Sequence, residues 1–455
     1  MTSKFVLKLL RAGAAKSSLP SITDVGVIGE PIFTRPSFVD TVNDIRVQYA
    51  KREEGALLIA YPIGVSCDFQ GELLYVVMSD GIVYSLGGDY GVGGLGDGTL
   101  DYADTFEDTR VVTYSGKMIA VAAEHPPVAI DSVGQLLWWG NHGYYNYGTN
   151  SVGYKAYGGN PDLLPYDSLV PVEGVADITF GMVSVGYYCG CGIDSAGQLW
   201  TWGYGGLGTL GRGLGDGNDR LPAPGKVTHP EGKTWVYCHT RNVAMCGIDS
   251  AGQLWTWGDN STGMLGIGLD PGVERWRDTP QKVGTDTDWV KCIVSEVTIM
   301  AMKSNGEIWG MGTNFDYILG HAQADAPGCG ADDYDLPSQC EHWSPHKVAD
   351  ASNGFIDFCF GYYHTIALKS DGTAWGMGYD GYDGGLGLGD NTDFVTGWTQ
   401  ITGGVYNLFS FVHSFYGVNI AIGLDNNVYI WGTFYGLDEW YYPYPTRWQL
   451  PNQEE

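Results

Sequence analysis

The amino-acid sequence predicts an all-β protein: a seven-bladed β-propeller with four-stranded blades, preceded by an extended N-terminal arm with a short helix. A twelve-residue segment, GIDSAGQLWTWG, occurs at 192–203 and again at 247–258, and five weaker copies start at positions 76, 129, 301, 367 and 421. The closing glycines of the seven copies are 53 to 66 residues apart, a spacing typical of repeat architectures. The 455 residues include 69 glycines, 30 tyrosines and 16 tryptophans but only 17% charged residues, as expected for many short strands and turns.

Each copy contains a turn between two predicted strands. Its sixth residue is glycine in six copies, among them Gly197 and Gly252, and is Asn426 in the last copy. Glycine and asparagine tolerate the positive φ that the tight turn of a β-hairpin requires. Apolar and polar residues roughly alternate on both sides of the turn, so we expect two antiparallel strands per copy.

Large side chains recur at the ninth and eleventh positions of each copy. A buried aromatic ring removes ~150–250 Å² from water, so we expect these side chains to form packing layers between neighbouring blades. In the two identical copies, the residues with a predicted structural role are Gly197, Trp200, Trp202, Gly203, Gly252, Trp255, Trp257 and Gly258.

Two more strands per repeat are predicted upstream of each copy. An apolar residue lies nine positions before every copy, as at Cys67, Val183 and Cys238, and indicates a third strand. Proline-led segments further upstream, APGKV, TPQKV and SPHKV, suit an outer edge strand, where the missing amide of proline is harmless. YPTRWQL at 444–450 is such a segment, yet the chain ends after it. We expect it to complete the blade at the junction and to tie the C-terminus to the first blade.

The repeated segment, the glycine-rich stretches GGLGTLGRGLGDG and GGLGLGDN, and GYYHT at 361–365 resemble the regulator of chromosome condensation repeat family. The resemblance covers about residues 56–450, and it implies a seven-bladed propeller, which we place at 56–455. Eukaryotic members of the family act as guanine-nucleotide exchange factors on a small GTPase and contact chromatin. Secreted bacterial relatives inhibit enzymes by capping them with a propeller face.

Residues 1–55 do not match the repeat and are predicted to form a docking arm. In a short amphipathic helix, Phe5 and Leu9 would lie on one face and Arg11 on another. We expect these three residues to contact a neighbouring protein, and packing against the propeller itself is the alternative. The basic character of the first 23 residues also fits an organellar presequence.

Two inserts rich in tyrosine are predicted recognition surfaces for a protein or a surface glycan. Tyrosine offers a large contact area at low entropic cost and also stacks on sugars. Alternatively, the inserts cover blade edges and pack on their own scaffold. The predicted partner-binding residues are Tyr144, Tyr145, Tyr147, Tyr154 and Tyr157 in the first insert, and Tyr435, Trp440, Tyr441 and Tyr442 in the second.

The insert between the fifth and sixth copies contains candidate metal ligands. Zinc ligands of the right type are His321, Cys329, Cys340, His342 and His346, and candidate calcium ligands are Asp332, Asp333 and Asp335. The spacing matches no standard zinc finger. A Cys329–Cys340 disulfide or unpaired side chains are the alternatives.

The other cysteines and the histidine of GYYHT are predicted to be structural. Cys67, Cys238 and Cys292 share one repeat position, and Cys191 and Cys246 share another, which favours core filling. His364 stands where the family usually places a histidine, and we expect it to bond to neighbouring backbone.

No arrangement of residues predicts catalysis. The sequence lacks local Ser-His-Asp and Cys-His patterns and the GxxxxGK[ST] motif, and its glycine-rich stretches recur once per repeat as connecting turns. We therefore expect a protein without enzymatic activity and, apart from zinc or calcium in the 321–346 insert, without a cofactor.

The formal net charge of −28 argues against nucleic acid as a partner, and no run of about 18 apolar residues predicts a membrane span. The leading hypothesis is a structural or binding component of a bacteriophage virion, docked by its arm at the neck, tail or capsid. The alternative is a cytoplasmic regulator of the exchange-factor or enzyme-capping type.

Overall fold

The computed structural model describes residues 60–451, apart from 68–72, 89–93, 100, 102, 104, 124–126, 141–168, 173, 187, 216–219, 315–316, 321–340, 381–383, 390–393, 405, 435–436 and 438–440. The predicted arm therefore lies outside the described residues. Within the described part, 28 strands form seven antiparallel four-stranded sheets, accompanied by 3-10 helices at Phe106–Asp108, Gly206–Gly208 and Ala351–Asn353. The predicted all-β class and the seven four-stranded blades are confirmed.

The first four blades span residues 62–282. Blade 1 contains β1 Pro62–Cys67, β2 Leu73–Met78, β3 Val83–Gly87 and β4 Arg110–Val111. Blade 2 contains β5 Met118–Ala122, β6 Val128–Asp131, β7 Leu136–Trp138 and β8 Val170–Pro171. Blade 3 contains β9 Phe180–Val185, β10 Cys189–Asp194, β11 Leu199–Tyr204 and β12 Arg220–Lys226. Blade 4 contains β13 Trp235–Arg241, β14 Ala244–Asp249, β15 Leu254–Asp259 and β16 Trp276–Lys282.

The last three blades span residues 289–448. Blade 5 contains β17 Trp289–Val294, β18 Thr298–Lys303, β19 Ile308–Thr313 and β20 Glu341–Ala349. Blade 6 contains β21 Phe355–Phe360, β22 His364–Lys369, β23 Ala374–Tyr379 and β24 Phe394–Gln400. Blade 7 contains β25 Phe409–Phe415, β26 Val418–Gly423, β27 Val428–Thr433 and β28 Tyr441–Trp448.

The predicted hairpin turn lies between the second and third strands of every blade. Its sixth residue has positive φ in all seven copies, with values of 79° at Gly197, 80° at Gly252 and 65° at Asn426. An aspartate side chain stabilises several of these turns: Asp249 Oδ1 accepts the amides of Ala251 at 2.8 Å and Gln253 at 3.0 Å. The backbone conformation thus explains why glycine recurs at this position and why asparagine replaces it once.

The two identical copies place their tryptophans in equivalent surroundings. Trp200 Nε1 donates to Asp194 Oδ2 at 2.9 Å, and Trp255 Nε1 donates to Asp249 Oδ2 at 3.2 Å. Each ring also meets an aromatic side chain of its own blade's first strand edge to face, with centroid distances of 6.4 Å to Phe180 and 6.3 Å to Trp235. Trp202 and Trp257 are fully buried, so the eleventh position forms the core of the blade stack.

The proline-led segments form fourth strands. Each belongs to the same blade as the twelve-residue segment that comes before it in the chain. Trp200 lies opposite Lys226 in the strand register, and Trp255 lies opposite Lys282. The lysine Nζ atoms lie 5.1 Å and 5.8 Å from the respective ring centroids, a cation–π geometry. In both segments, the lysine two positions after the proline therefore covers the ring face of the tryptophan in the neighbouring third strand.

The C-terminal segment completes the blade at the junction, as predicted, and that blade is the seventh. β28 completes the seventh blade by pairing with β27, whereas the first blade has its own fourth strand, β4, paired with β3. All four described strands of each blade are consecutive, so none of them is exchanged at the junction. The segment still contacts the first blade through side chains: Trp448 Nε1 donates to Thr109 Oγ1 at 3.0 Å, and Tyr84 Oη donates to the Pro451 carbonyl at 3.3 Å.

Four pairs of adjacent blades share one side-chain-to-backbone bond between their first strands. The first strand of a blade is an edge strand, which leaves alternate amides without a partner in the sheet. In each of these pairs a side chain of one blade accepts an amide from the next blade. The acceptors are Ser66 Oγ for Ala123 at 3.0 Å, Ser184 Oγ for Thr240 at 3.2 Å, His239 Nδ1 for Val294 at 3.1 Å, and His413 Nε2 for Cys67 at 3.5 Å. The last bond joins the seventh blade to the first.

Two further side-chain contacts link first strands. Lys291 Nζ of the fifth blade and Asp357 Oδ1 of the sixth form a buried ion pair at 2.5 Å. The guanidinium carbon of Arg241 in the fourth blade lies 3.7 Å from the ring centroid of Phe415 in the seventh, so this contact spans the middle of the ring. Both contacts join elements that are distant in the sequence and help to fix the closed ring.

Candidate functional site

The strand directions divide the ring into two faces of different construction. We call the end with the hairpins of the twelve-residue segment, such as 195–198, the turn face. The opposite end, the loop face, carries the short turns between first and second strands and the long connections between third and fourth strands, such as 205–219. Because each insert identified in the sequence connects a third strand to a fourth, all three begin and end at the loop face.

The long connections share a local structure set by one polar side chain. Asn260 Oδ1 accepts the amide of Leu265 at 3.2 Å, and Asn314 Oδ1 accepts that of Leu319 at 2.8 Å. Asp380 Oδ1 accepts the amide of Leu386 at 2.7 Å in the same way. The bonds hold similar turns at the loop ends of the fourth, fifth and sixth blades.

One position in these turns requires a left-handed backbone. Gly208, Gly263 and Gly384 occupy it in the third, fourth and sixth blades, with φ of 72°, 71° and 58°. The fifth blade has Tyr317 there, with φ of 62°. This conformation costs a bulky residue about 1–2 kcal/mol relative to glycine, so Tyr317 raises the free energy of the folded backbone by about that amount.

A second strained tyrosine lies on the same face. Tyr416, in the turn between β25 and β26, has φ of 53°. The equivalent turn of the fourth blade has Asn242 at φ 49°, and asparagine tolerates this conformation. The amide of Tyr362 donates to the Tyr416 carbonyl at 3.0 Å, which joins the turns of the sixth and seventh blades.

Six aromatic side chains form a continuous row across the loop face of the fifth to seventh blades, which we call the aromatic strip. In order along the strip its members are Tyr416, Tyr362, Tyr363, Tyr379, Phe394 and Tyr317. Ring centroids along the row are 4.5–6.0 Å apart, within the range of favourable aromatic pairs. Phe394 is 46% exposed and the five tyrosines are partly exposed, so the strip presents ring surface to solvent.

In the sequence, negative charge is concentrated in the connections between third and fourth strands. The connections between third and fourth strands hold 23 of the chain's 52 acidic residues but three of its 24 basic residues. The connections of the turn face hold ten acidic and two basic residues, and several lysines of neighbouring strands, such as Lys226 and Lys282, add positive charge there. The charge asymmetry of the sequence therefore lies in the connections between third and fourth strands.

Most of the predicted partner-binding residues lie outside the described residues, namely Phe5, Leu9, Arg11, Tyr144, Tyr145, Tyr147, Tyr154, Tyr157, Tyr435 and Trp440. The structure places the two remaining ones, Tyr441 and Tyr442, at the start of β28. Tyr442 is 7% exposed and stacks on Phe106 at 6.0 Å, so it packs on its own scaffold. Tyr441 is partly buried and contributes no ring to the strip.

The candidate metal ligands are only partly within the described residues. Cys329 and Cys340 lie outside them, whereas His342 and His346 lie on β20. The two imidazoles stack with centroids 4.5 Å apart and planes 18° from parallel. Ring-nitrogen lone pairs lie in the ring plane, so this stacking does not direct both rings at one ion. Within the described ranges, no group of three or more potential ligands could hold a metal ion.

The cysteines of the repeat positions are buried core residues, as predicted. Cys191, Cys238, Cys246 and Cys292 are fully buried free thiols at the interfaces of the third to fifth blades. Burial raises the pKa of the Cys246 thiol, which keeps it protonated. Val65, and not Cys67, occupies the first-blade position equivalent to Val183, because the β1–β2 connection is two residues longer than its counterpart in the third blade.

His364 has a structural role, although its partners are side chains and not the expected backbone groups. Its Nε2 lies 2.9 Å from both Ser414 Oγ and Asn419 Oδ1 of the seventh blade. Because Asn419 Nδ2 donates to the Gly385 and Trp431 carbonyls, Asn419 Oδ1 must accept, and His364 Nε2 carries the proton. Burial lowers the pKa of His364 to about 4, so the ring is neutral at pH 7. A buried Nε2–H cannot act as the base for Ser414.

No helix in the described part of the chain is long and apolar enough to cross a membrane.

Comparisons with known proteins agree with the architecture. A sequence model of the regulator of chromosome condensation (RCC1) repeat matches residues 355–383, which include Tyr362, Tyr363 and Tyr379 of the strip. The chain is 28% identical to the ultraviolet-B receptor UVR8 of Arabidopsis thaliana over 254 residues, which are 55% of this chain and 51% of the receptor. It is 26% identical over 270 residues to the human E3 ubiquitin-protein ligase HERC2, covering 57% of this chain and 5% of the ligase. The chain thus spans about half the length of the first relative and a small part of the second.

The solved structure of Prp20p from Saccharomyces cerevisiae has the same fold. It superposes with a TM-score of 0.63 at 18% identity, covering 78% of this chain and 80% of Prp20p. That structure was described together with the binding of Prp20p to Gsp1p and histones. The predicted resemblance to the regulator of chromosome condensation repeat family is confirmed.

Proposed function

We propose that this chain, whose propeller is built from repeats of the regulator of chromosome condensation type, is a non-catalytic regulator that binds a partner protein through its loop face. The observation that carries the proposal is the aromatic strip. Partly exposed tyrosine and phenylalanine rings in a contiguous row are typical of protein interfaces, where aromatic residues supply most of the binding energy. Three blades contribute to the strip, so its shape depends on the assembled ring.

The burial of two polar clusters with catalytic residue types is consistent with a binding role. His364 with Ser414 and Lys291 with Asp357 are buried and bonded between blades. Both clusters are accounted for by blade packing. The similarity to Prp20p, a protein described as binding other proteins, also favours a binder over an enzyme.

The hypothesis of a bacteriophage virion component receives no support from the comparisons. The relatives described above are plant, human and yeast proteins, and they fit the alternative hypothesis, a cytoplasmic regulator of the exchange-factor or enzyme-capping type, better than the virion hypothesis. The docking role of residues 1–55 and the glycan-binding role of the tyrosine-rich inserts stay predictions.

Site-specific photo-crosslinking tests the proposed binding face. The photoreactive amino acid p-benzoylphenylalanine replaces Phe394 on the loop face in one variant and Val133 on the turn face, which is 70% exposed, in a matched control. We expect position 394 to crosslink to a discrete protein in the cell of origin, and position 133 to give no such product. Binding is then measured by calorimetry with the purified partner. Crosslinking from position 133 but not 394 would overturn the assignment of the face.

A second measurement separates the two kinds of regulator. If the crosslinked partner is a small GTPase, the release of labelled GDP is followed with and without the propeller. An exchange factor accelerates release, whereas a capping regulator leaves release unchanged or slows it and blocks the partner's other interactions.

A further inference from the structure

We infer that His364 is a positioning residue of the aromatic strip, which it holds in shape where the strip crosses from the sixth blade to the seventh. The inference rests on the proposed function, because the strip is the proposed binding surface. His364 is 1% exposed, so it acts through the neighbouring rings and not by contact with the partner protein.

The strip crosses between these two blades at three tyrosines. Tyr362 and Tyr363 lie in the turn between β21 and β22, and Tyr416 lies in the turn between β25 and β26. The Tyr416 ring centroid is 5.4 Å from each of the other two, and the Oη atoms of Tyr363 and Tyr416 are 3.3 Å apart. Because the two turns belong to separate sheets, a shift of one blade against the other changes the arrangement of these rings. Binding surfaces need their side chains held to within about 0.5 Å by supporting contacts.

His364 bonds across this boundary on both sides of Tyr416. It begins β22, directly after the sixth-blade turn, and its Nε2 lies 2.9 Å from Ser414 Oγ and from Asn419 Oδ1. Ser414 precedes Tyr416 by two residues and Asn419 follows it by three. One imidazole nitrogen therefore holds both arms of the seventh-blade turn against the sixth blade.

The same bonds reach a third element of the strip. Asn419 Nδ2 donates to the Gly385 carbonyl at 2.8 Å. Gly385 lies in the connection between β23, which ends at Tyr379, and β24, which begins at Phe394. Through Asn419, His364 thus links the seventh-blade turn to the connection that joins the strands of two further strip residues.

Two glycines leave the space that the imidazole occupies. A β-carbon on Gly385 would lie 2.6 Å from His364 Nδ1, and one on Gly361 would lie 3.0 Å from His364 Cε1. A β-carbon on Gly361 would also collide with the Tyr416 carbonyl oxygen. The two turns approach each other this closely because the sequence has no side chain at these positions.

The seventh-blade turn needs external contacts because its backbone is strained. Tyr416 has φ of 53°, and strained residues persist where the surrounding structure over-determines their conformation. The amide of Tyr362 donates to the Tyr416 carbonyl at 3.0 Å, and the His364 bonds fix the residues on either side. Loss of the His364 bonds should therefore let the turn relax and move the Tyr416 ring away from the row.

The third blade offers a matched control at the equivalent position. Cys189 and His364 both lie opposite the closing glycine of their own segment. Cys189 Sγ is 3.0 Å from Thr240 Oγ1 and donates to the Asn242 carbonyl at 3.3 Å, so it also joins its blade to the turn of the next. Cys189→Ala therefore removes an equivalent contact between blades at a place outside the strip.

The first readout is hydrogen–deuterium exchange of the full chain without a partner. The amide of Tyr362 reports the link directly, because its acceptor belongs to the other blade. His364→Leu removes the imidazole bonds, and we expect the Tyr362 amide to exchange roughly 10-fold faster. His364→Gln keeps an N–H donor and should restore most of the protection. Cys189→Ala should leave this amide unchanged.

The second readout is the affinity for the partner protein captured by crosslinking at position 394, measured by calorimetry. We expect His364→Leu to weaken binding roughly 5- to 30-fold and His364→Gln to bind within about twofold of the unmodified chain. Cys189→Ala should lower the melting temperature without changing the affinity. If His364→Leu does not fold, Ser414→Ala removes one of the two acceptors and should change both readouts in the same direction by smaller factors.

Three outcomes would overturn the inference. Unchanged Tyr362 exchange or unchanged affinity in folded His364→Leu would remove the positioning role and leave the proposed function intact. A loss in His364→Leu that His364→Gln does not restore would assign the effect to packing and not to the bonds. An equal loss of affinity in Cys189→Ala would show that binding follows overall stability. If crosslinking at position 394 captures no protein, the proposed function fails, and the Tyr362 exchange alone decides whether His364 holds the two turns together.

Discussion

The indole Nε1 of Trp448 donates a 3.0 Å hydrogen bond to Thr109 Oγ1, joining residues that are 339 positions apart. Trp448 ends the last strand of the seventh blade, and Thr109 directly precedes the fourth strand of the first. Because no described strand is exchanged between these blades, side-chain contacts of this kind help to close the ring. The proposed binding face depends on a closed ring.

Truncation before Tyr444 should lower the melting temperature strongly. The truncation removes the part of β28 that pairs with Val428, Tyr429 and Ile430, together with the Trp448–Thr109 bond. Differential scanning calorimetry measures the effect, and a chain ending at Pro451, which keeps these contacts, is the control. An unchanged transition in the shorter chain would show that the ring does not depend on this segment.

Ser184→Ala should destabilise the propeller by about 1–3 kcal/mol. The substitution leaves the buried amide of Thr240 without its acceptor, and an unsatisfied buried donor costs about that much. Urea unfolding measures the change in the free energy of unfolding. Ser250→Ala, at an exposed position of a turn-face hairpin, should change it by less than about 0.5 kcal/mol.

The buried ion pair predicts a non-additive double mutant. Lys291→Met alone leaves the Asp357 carboxylate buried without its cation and should cost about 3–5 kcal/mol. Lys291→Met combined with Asp357→Leu removes both charges and should recover most of this loss. Urea unfolding of both single variants and the double variant gives the coupling energy, and additive losses would contradict the interpretation.

Stability should fall as the pH is lowered from about 6.5 towards 4. Burial lowers the pKa of His364 to about 4, and burial together with the charge of His346 lowers the pKa of His342 to about 4. Between the folded and unfolded pKa values the unfolded chain binds more protons, so each histidine contributes up to about 1.4 kcal/mol per pH unit in this window. The stabilisation is present above pH 6.5 and lost below it. His364→Gln should reduce the slope, and an equal slope would contradict the assignment.

Tyr317→Gly should separate folding from binding. Glycine adopts the φ of 62° without strain, so the gain of about 1–2 kcal/mol offsets the loss of the Tyr317–Phe394 ring contact. We expect a melting temperature at or above that of the unmodified chain and weaker binding of the partner protein captured at position 394. A loss of stability with unchanged binding would mean that Tyr317 is retained for folding.

The sequence was sufficient to predict the blade count and the hairpins because local chemistry sets them. Gly197, Gly252 and Asn426 mark a turn that needs positive φ, and the ninth and eleventh positions mark the buried rings. Register was harder to predict where hairpin lengths vary: the first blade places Val65, and not Cys67, opposite the start of the segment. The proline-led motif of the C-terminal segment indicated an outer strand at the junction, and its pairing partner, β27, is set by order along the chain.

The aromatic strip could not be predicted from the sequence because its members belong to three blades. Tyr362 and Tyr363 were noticed only as part of the motif GYYHT, and Tyr416 lies 53 residues after Tyr363 in a different repeat. One signal was available: Tyr317 occupies a position where the aligned connections have glycine. A tyrosine at a glycine position of a repeat is therefore a feature to look for in related chains.

Hydrogen–deuterium exchange of the full chain, with and without a saturating amount of the partner protein captured by crosslinking at position 394, tests most directly whether the loop face is the binding face. We expect slower exchange of the amides at 361–363 and 416–417 on the loop face, and unchanged exchange at 195–198 and 250–253 on the turn face. Protection of the turn-face hairpins with no change at 361–363 and 416–417 would contradict it.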